Sequence, residues 1–148
     1  MSQSQGNLKP LVSEDRETPL QMLVLLAERD RLGADLAEFF LHTEGYQVMS
    51  AFDAGAALER YEQLRPRWAI VDLLISSGAG LALCRSLKDK GLDALLALST
   101  LEMREQAIDA GADAFLLKPV DPLALVSTVK DLLGTSALAA PARSVVGG

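Results

Sequence analysis

Between residues 21 and 134, short apolar runs alternate with stretches in which apolar residues recur at three- and four-residue intervals, the pattern of repeated strand–helix units. Met22 to Ala27 is the first run, and Leu32, Leu36, Phe39 and Phe40 follow at helical spacing until Gly45 stops it. Tyr46 to Ala51 is a shorter strand expected off-centre; Asp53 then caps a helix carrying Leu58, Tyr61 and Leu64, which Pro66 ends. Trp68 to Leu74 is apolar except for Asp72, and a polar, glycine-containing loop, Ser76 to Gly80, leads into Leu81, Cys84 and Leu87. Ala94 to Leu98 runs into Ser99 and Thr100, after which a short helix with Ala107 and Ile108 ends at Gly111. Ala114 to Leu117 ends in Lys118-Pro119. Asp121 caps the last helix, with Pro122 at its first position, Val126, Val129, Leu132 and Leu133 inside, and Gly134 closing it.

Five such units predict an α/β protein in which the continuous apolar strands form a parallel sheet covered on both faces. Right-handed crossovers place every strand's C-terminal end on one edge, where ligands of open α/β sheets bind. The polar residues that follow the strands would converge there: Glu28, Arg29 and Asp30 after the first, Asp72 at the third, Ser99 and Thr100 after the fourth, Lys118 after the fifth. A carboxylate at the end of a buried strand is costly unless it is paired, hydrogen-bonded or metal-bound. Asp72 therefore needs a compensating partner.

Composition narrows the function without naming it. The 148 residues are 49% hydrophobic and 23% charged, which suits one globular domain with a core and excludes disorder throughout. Residues 1–20 and 135–148 lack apolar periodicity and read as flexible tails around a domain at 21–134. Fourteen lysines and arginines against 20 aspartates and glutamates leave a net charge of −6, which argues against direct contact with nucleic acid. No apolar run approaches the ~18 residues of a membrane helix, and the start is polar, so no membrane contact is expected. Cys84 is the only cysteine, a usage that fits a reducing, cytoplasmic setting.

Taken in order, several segments resemble the receiver domain of two-component response regulators over roughly residues 21 to 134. Ala69-Ile70-Val71-Asp72-Leu73-Leu74-Ile75-Ser76-Ser77-Gly78-Ala79-Gly80-Leu81 looks like the family's third-strand segment, Ser99-Thr100 its hydroxyl after strand four, Gly111-Ala112-Asp113 its GAD turn, Phe115 its aromatic switch position, and Lys118-Pro119 its lysine and following proline. The resemblance implies a flavodoxin-like, doubly wound sheet of five parallel strands in the order 2-1-3-4-5 with five helices. It also implies that Asp72 is the phosphoacceptor, that Lys118 and Ser99 or Thr100 contact the phosphoryl oxygens, and that a histidine kinase or phosphotransfer protein is the donor. A downstream protein partner, and a homodimer in some states, follow from the same likeness.

That chemistry needs an in-line acceptor and fixed positive groups around the transferred charge. The family adds Mg²⁺, which the resemblance would place on Glu28, Asp72 and the Leu74 backbone carbonyl. The departure lies in the acidic pair after strand one: counting back from Gly45 puts the pair at Glu28 and Arg29, so one acid has become a cation, and a slip of one residue to Ala27 and Glu28 also leaves a single acid. Arg29 pointing inward would pair with Asp72 and take over part of the metal's role; pointing outward, it would leave Asp30 or water to complete a weak metal shell. Two further departures are Ser76, where the family usually has proline, and a stretch from Ser99 to Lys118 shorter than the usual spacing, which implies that the fourth helix loses most of a turn.

The bland readings are concrete too. Asp72 could be a purely structural carboxylate paired with Lys118 or Arg29, Ser99 or Thr100 could only cap the short helix, and Phe115 could be plain core. Glu28 could be a first-turn acid favoured by a helix dipole, His42 a surface residue, and Cys84 core. Two function classes follow: a receiver that takes phosphoryl on Asp72 and switches a protein-interaction face, or a pseudo-receiver whose Arg29-occupied site acts without phosphate. Neither is an enzyme beyond its own phosphorylation and dephosphorylation. A nucleotide-binding enzyme is disfavoured because no G-x-x-x-x-G-K-[ST] or G-x-G-x-x-G follows the first strand. No DNA-binding or enzymatic output domain is expected in the residues outside the domain.

Overall fold

The computed structural model describes residues 22–138 of the chain; the expected tail at 1–20 and residues 139–148 of the tail expected at 135–148 lie outside the described residues, whereas 135–138 continue the last helix instead of starting that tail. Five strands, β1 (Leu23–Ala27), β2 (Gln47–Ala51), β3 (Trp68–Asp72), β4 (Ala94–Ser99) and β5 (Ala114–Leu117), form one sheet in the order β2-β1-β3-β4-β5 with every pairing parallel. The helices are α1 (Arg31–Thr43), α2 (Ala54–Leu64), α3 (Ile75–Gly78), α4 (Gly80–Asp89), α5 (Arg104–Asp109) and α6 (Pro122–Leu138). Topology and strand order match the sequence expectation. The sixth helix is the single turn α3, in which Ser76 and Ser77 take left-handed backbone conformations.

Strand alternation divides the core. Leu25, Ala27, Ala69, Val71, Leu95, Ala97 and Phe115 pack under α2, α4 and α5 with Ala57, Leu83, Leu87 and Ala107. Val24, Leu26, Ile70, Leu96 and Leu98 pack under α1 and α6 with Ala34, Leu41, Leu125, Val129 and Leu133. The spacing that marks α1 as a helix is not the face it buries. Leu32, Leu36 and Phe39 are more than half exposed, and Ala34 and Leu41 form the contact with the sheet.

Local chemistry sets the element ends. Asp30, Asp53 and Asp121 accept backbone N–H groups of Gly33, Ala56 and Ala124, satisfying donors that open α1, α2 and α6. Gly45 and Gly111 take positive φ where α1 and α5 end, as their place in the sequence suggests. Gly134 does not close α6: it keeps a negative φ, and the helix runs on to Leu138. A glycine inside a helix costs only about 1 kcal/mol relative to alanine, and Ala137 and Leu138 are strong helix formers.

The turn after β3 depends on one close approach. A Cβ on Gly80 would stand 2.3 Å from Leu73 Cα and 2.5 Å from its carbonyl oxygen, contacts with backbone that no rotamer relieves. Gly80 N–H also donates to that carbonyl at 3.1 Å. Gly80→Ala is therefore expected to destabilise the fold by about 3 kcal/mol or more, at the upper end of overpacking costs. Urea unfolding checks it; a midpoint equal to that of the unsubstituted chain would show that α4 shifts at no cost.

Candidate functional site

The C-terminal ends of β1, β3 and β5 bring three charged residues together because they share one side of the sheet. Asp72 follows Trp68 and Ile70 on the α1–α6 side, Glu28 continues from Val24 and Leu26, and Lys118 continues from Ala114 and Leu116. Asp72 is 1% exposed and Glu28 3% exposed, so both carboxylates have lost nearly all their water. Protein donors replace it. Asp72 Oδ1 accepts the Leu74 N–H at 3.0 Å, and Oδ2 faces Lys118 Nζ and Arg29 Nε, each at 3.3 Å. Lys118 Nζ also lies 2.8 Å from both Glu28 oxygens, and Asp30 N–H donates to Glu28 Oε2 at 2.9 Å.

Arg29 thus points inward. Its side chain remains 48% exposed, so the pair is half in water while its partner is buried. Asp30 serves the cluster only through its backbone N–H; its carboxylate is engaged as the N-cap of α1. Ser99 is fully buried but shares the parity of Leu95 and Ala97, which places it on the α2–α4–α5 side. Its hydroxyl accepts the Leu101 N–H at 3.0 Å and donates to Met103 Sδ at 3.5 Å, so it holds the turn before α5 rather than touching Asp72. Thr100 lines the cleft beside Lys118. Phe115 is 2% exposed, packed in the core with the Arg104 guanidinium 5.3 Å from its ring centroid. His42 is exposed, and Cys84 is buried, its thiol pushed up to about 12 by desolvation.

Sequence reasoning did not foresee the cleft. About 680 Å³ opens between α1 and the loop after β5, floored by Leu26, Ile70, Leu98 and Leu125 and rimmed by Arg29 and Lys118. The signal was the small residues Gly33 and Ala37 of α1, which line the cleft and leave space that larger side chains would fill.

The divalent ion implied by the resemblance does not fit this donor set. Mg²⁺ demands near-octahedral oxygen ligands and is usually held by carboxylates and water. Here each of the four oxygens of Asp72 and Glu28 already faces a protein N–H or a cation. Among the described residues no group of three or more His, Cys, Asp or Glu side chains is placed to hold a metal. The Leu74 carbonyl accepts the Gly78 N–H at 3.3 Å in the α3 turn.

Comparison with known proteins gives a consistent picture. A family model described as response regulator receiver domain matches residues 24–130. The regulatory protein VanR of Enterococcus faecium is 30% identical over 110 residues, covering 72% of this chain and 48% of that protein. The alkaline phosphatase synthesis transcriptional regulatory protein PhoP of Bacillus subtilis is 26% identical over 126 residues, covering 82% of this chain and 52% of that protein. The chain therefore spans about half the length of these curated relatives. Among solved structures, a putative response regulator from Chloroflexus aurantiacus superposes with a TM-score of 0.71 at 28% identity, covering 76% of this chain and 98% of that one. A CheY-like receiver domain protein from Methanospirillum hungatei gives 0.73 at 25% identity, covering 78% and 95%.

Burial pushes the Glu28 carboxyl above its ordinary value of 4.5, against the opposing pull of the Lys118 hydrogen bond. A carboxyl with a raised folded pKa holds its proton more tightly when folded; its contribution to stability is full below the unfolded value and is lost as pH rises through the folded one. Glu28→Gln removes that dependence. The stability of the unsubstituted chain relative to this variant is expected to fall as pH rises from below 4.5 toward neutrality, read from urea midpoints at each pH. A difference that does not change with pH would contradict the assignment.

Proposed function

The chain belongs to the response regulator receiver domain family, and from that premise we propose that Asp72 accepts a phosphoryl group from a histidine kinase or phosphotransfer protein. The observation that carries this reading is the placement of a buried carboxylate at the end of β3 with two cations on the same oxygen. One Asp72 oxygen attacks phosphorus while the bond from phosphorus to the donor nitrogen breaks. The electron pair stays on that nitrogen, which takes up a proton. Lys118 Nζ, tethered by Glu28, supplies fixed positive charge to the phosphoryl oxygens, and the Leu74 N–H orients the acceptor.

Acyl phosphate formation alters the charge balance that holds the site together. Phosphoryl on Asp72 competes with Glu28 for Lys118, which is rooted at the end of β5. The change then passes to the α5–β5–α6 side of the domain, where Leu101, Ile108, Leu117 and Leu123 are about half exposed or more. Exposed large apolar residues of this kind suit a protein partner, whose binding is the output. The protein thereby acts as a phosphoryl acceptor and switch.

Incubation with phosphoramidate, followed by intact mass, tests the acceptor assignment; ammonia is the leaving group. The expected result is one added phosphoryl mass on the unsubstituted chain and none on Asp72→Asn. Lys118→Ala is expected to slow the addition by about 10²-fold, the size seen when one transition-state charge contact is removed. Addition that persists in Asp72→Asn, or none to the unsubstituted chain, would overturn it.

A further inference from the structure

We propose that Arg29 is the resident cation of the acceptor site, so that the site neither binds nor requires a divalent metal ion. The inference rests on the acceptor reading above for its kinetic half only; its metal-binding half stands on geometry and charge.

The charge balance carries the argument. Asp72 and Glu28 bring two negative charges to the edge of the sheet, and Lys118 and Arg29 bring two positive ones, all within 3.3 Å contacts. The cluster is neutral as the chain is written. With an acid at position 29, the same cluster would hold three carboxylates against one lysine, a surplus that a divalent cation balances. A divalent ion added to the present cluster would instead leave that surplus positive. It would also bring a third cation beside a buried carboxylate whose Oδ2 already faces Arg29 Nε and Lys118 Nζ.

The neighbouring residues leave the metal no other route. Asp30 is committed to Gly33 N–H as the α1 N-cap, and both Glu28 oxygens are held by Lys118. The remaining charged group at the site is Arg29. Its guanidinium is planar, with further N–H groups beyond Nε, and lies at the half-exposed mouth of the site. There it can pair with the oxygens of an incoming phosphoryl group, as a fork of donors pairs with phosphate. No bond is made or broken at Arg29: it supplies charge and hydrogen bonds where the transferred oxygens arrive.

Two measurements on the full chain test the proposal. In the first, Mn²⁺ is titrated against the protein and followed by electron paramagnetic resonance, with Arg29→Asp and the double variant Arg29→Asp/Asp72→Asn alongside. The unsubstituted chain is expected to leave the free-ion spectrum unchanged. Arg29→Asp is expected to bind at least the ~10-fold more tightly that even outer-shell changes produce, and the gain should vanish in the double variant. Binding to the unsubstituted chain that Asp72→Asn removes would overturn the proposal, and so would a failure of folded Arg29→Asp to gain the site. If circular dichroism shows Arg29→Asp unfolded, Arg29→Asn takes its place with the same expectations.

In the second, phosphoryl addition from phosphoramidate is timed with excess Mg²⁺ and with EDTA. Equal rates are expected for the unsubstituted chain, whereas a rate that collapses in EDTA would overturn metal independence. Arg29→Gln is expected to slow addition in EDTA by about 10²-fold, and an unchanged rate would remove Arg29 from the chemistry. A chain that takes no phosphoryl under either condition, yet shows the Mn²⁺ pattern above, refutes the acceptor reading and leaves the charge assignment standing.

Discussion

A carboxylate buried at the end of a central strand must be compensated from outside its own strand, and Asp72 sets that demand for the whole upper edge of the sheet. Stripped of water, its two oxygens are satisfied by one backbone N–H from the following turn and by cations from two other strand ends. Removing either cation would leave a buried charge short of its partners, a far larger loss than a surface ion pair represents. The positions of Arg29, Glu28 and Lys118 are constraints on one electrostatic problem.

The sheet solves that problem by register. β1 and β4 both pair with β3, and β5 pairs with β4, so residues of one parity on β1, β3 and β5 emerge on one side at the same edge. Helix caps and glycine turns hold the loops short enough for the charges to meet. The cost appears after β3, where Gly80 packs its backbone against Leu73 and two serines take left-handed conformations to bring the chain into α4. Ser99, of the opposite parity, is drawn into the turn before α5, where its hydroxyl serves Leu101 and Met103. Its separation from Asp72 follows from strand alternation.

Much of this was legible in the sequence because it is local or periodic. Five apolar runs, the two capping aspartates Asp53 and Asp121, and the glycines at 45 and 111 mark the strands and the helix ends directly, whereas the Asp30 cap was not read. Asp72 stood out as the one charge in a buried strand. The reading failed where local signals compete with packing. Gly134 looked like a helix stop yet lies inside α6, and the most apolar stripe of α1, Leu32, Leu36 and Phe39, faces outward. Periodicity reports that a helix forms; which stripe meets the sheet depends on the crossover geometry.

By itself the sequence determined the α/β class, the strand order through its likeness to a known family, and the identity of the charges that meet at the edge. It also determined that one acid of the expected pair had become Arg29. It left open whether that arginine turns inward, since a side chain's direction depends on the desolvated partner awaiting it across the sheet. Tertiary structure decided that Arg29 meets Asp72 and that Lys118 is shared between two carboxylates. It also decided that a cleft of about 680 Å³ opens above the small residues of α1. These are properties of residues distant in sequence, and only folding, which removes water from the carboxylates, makes their pairing obligatory.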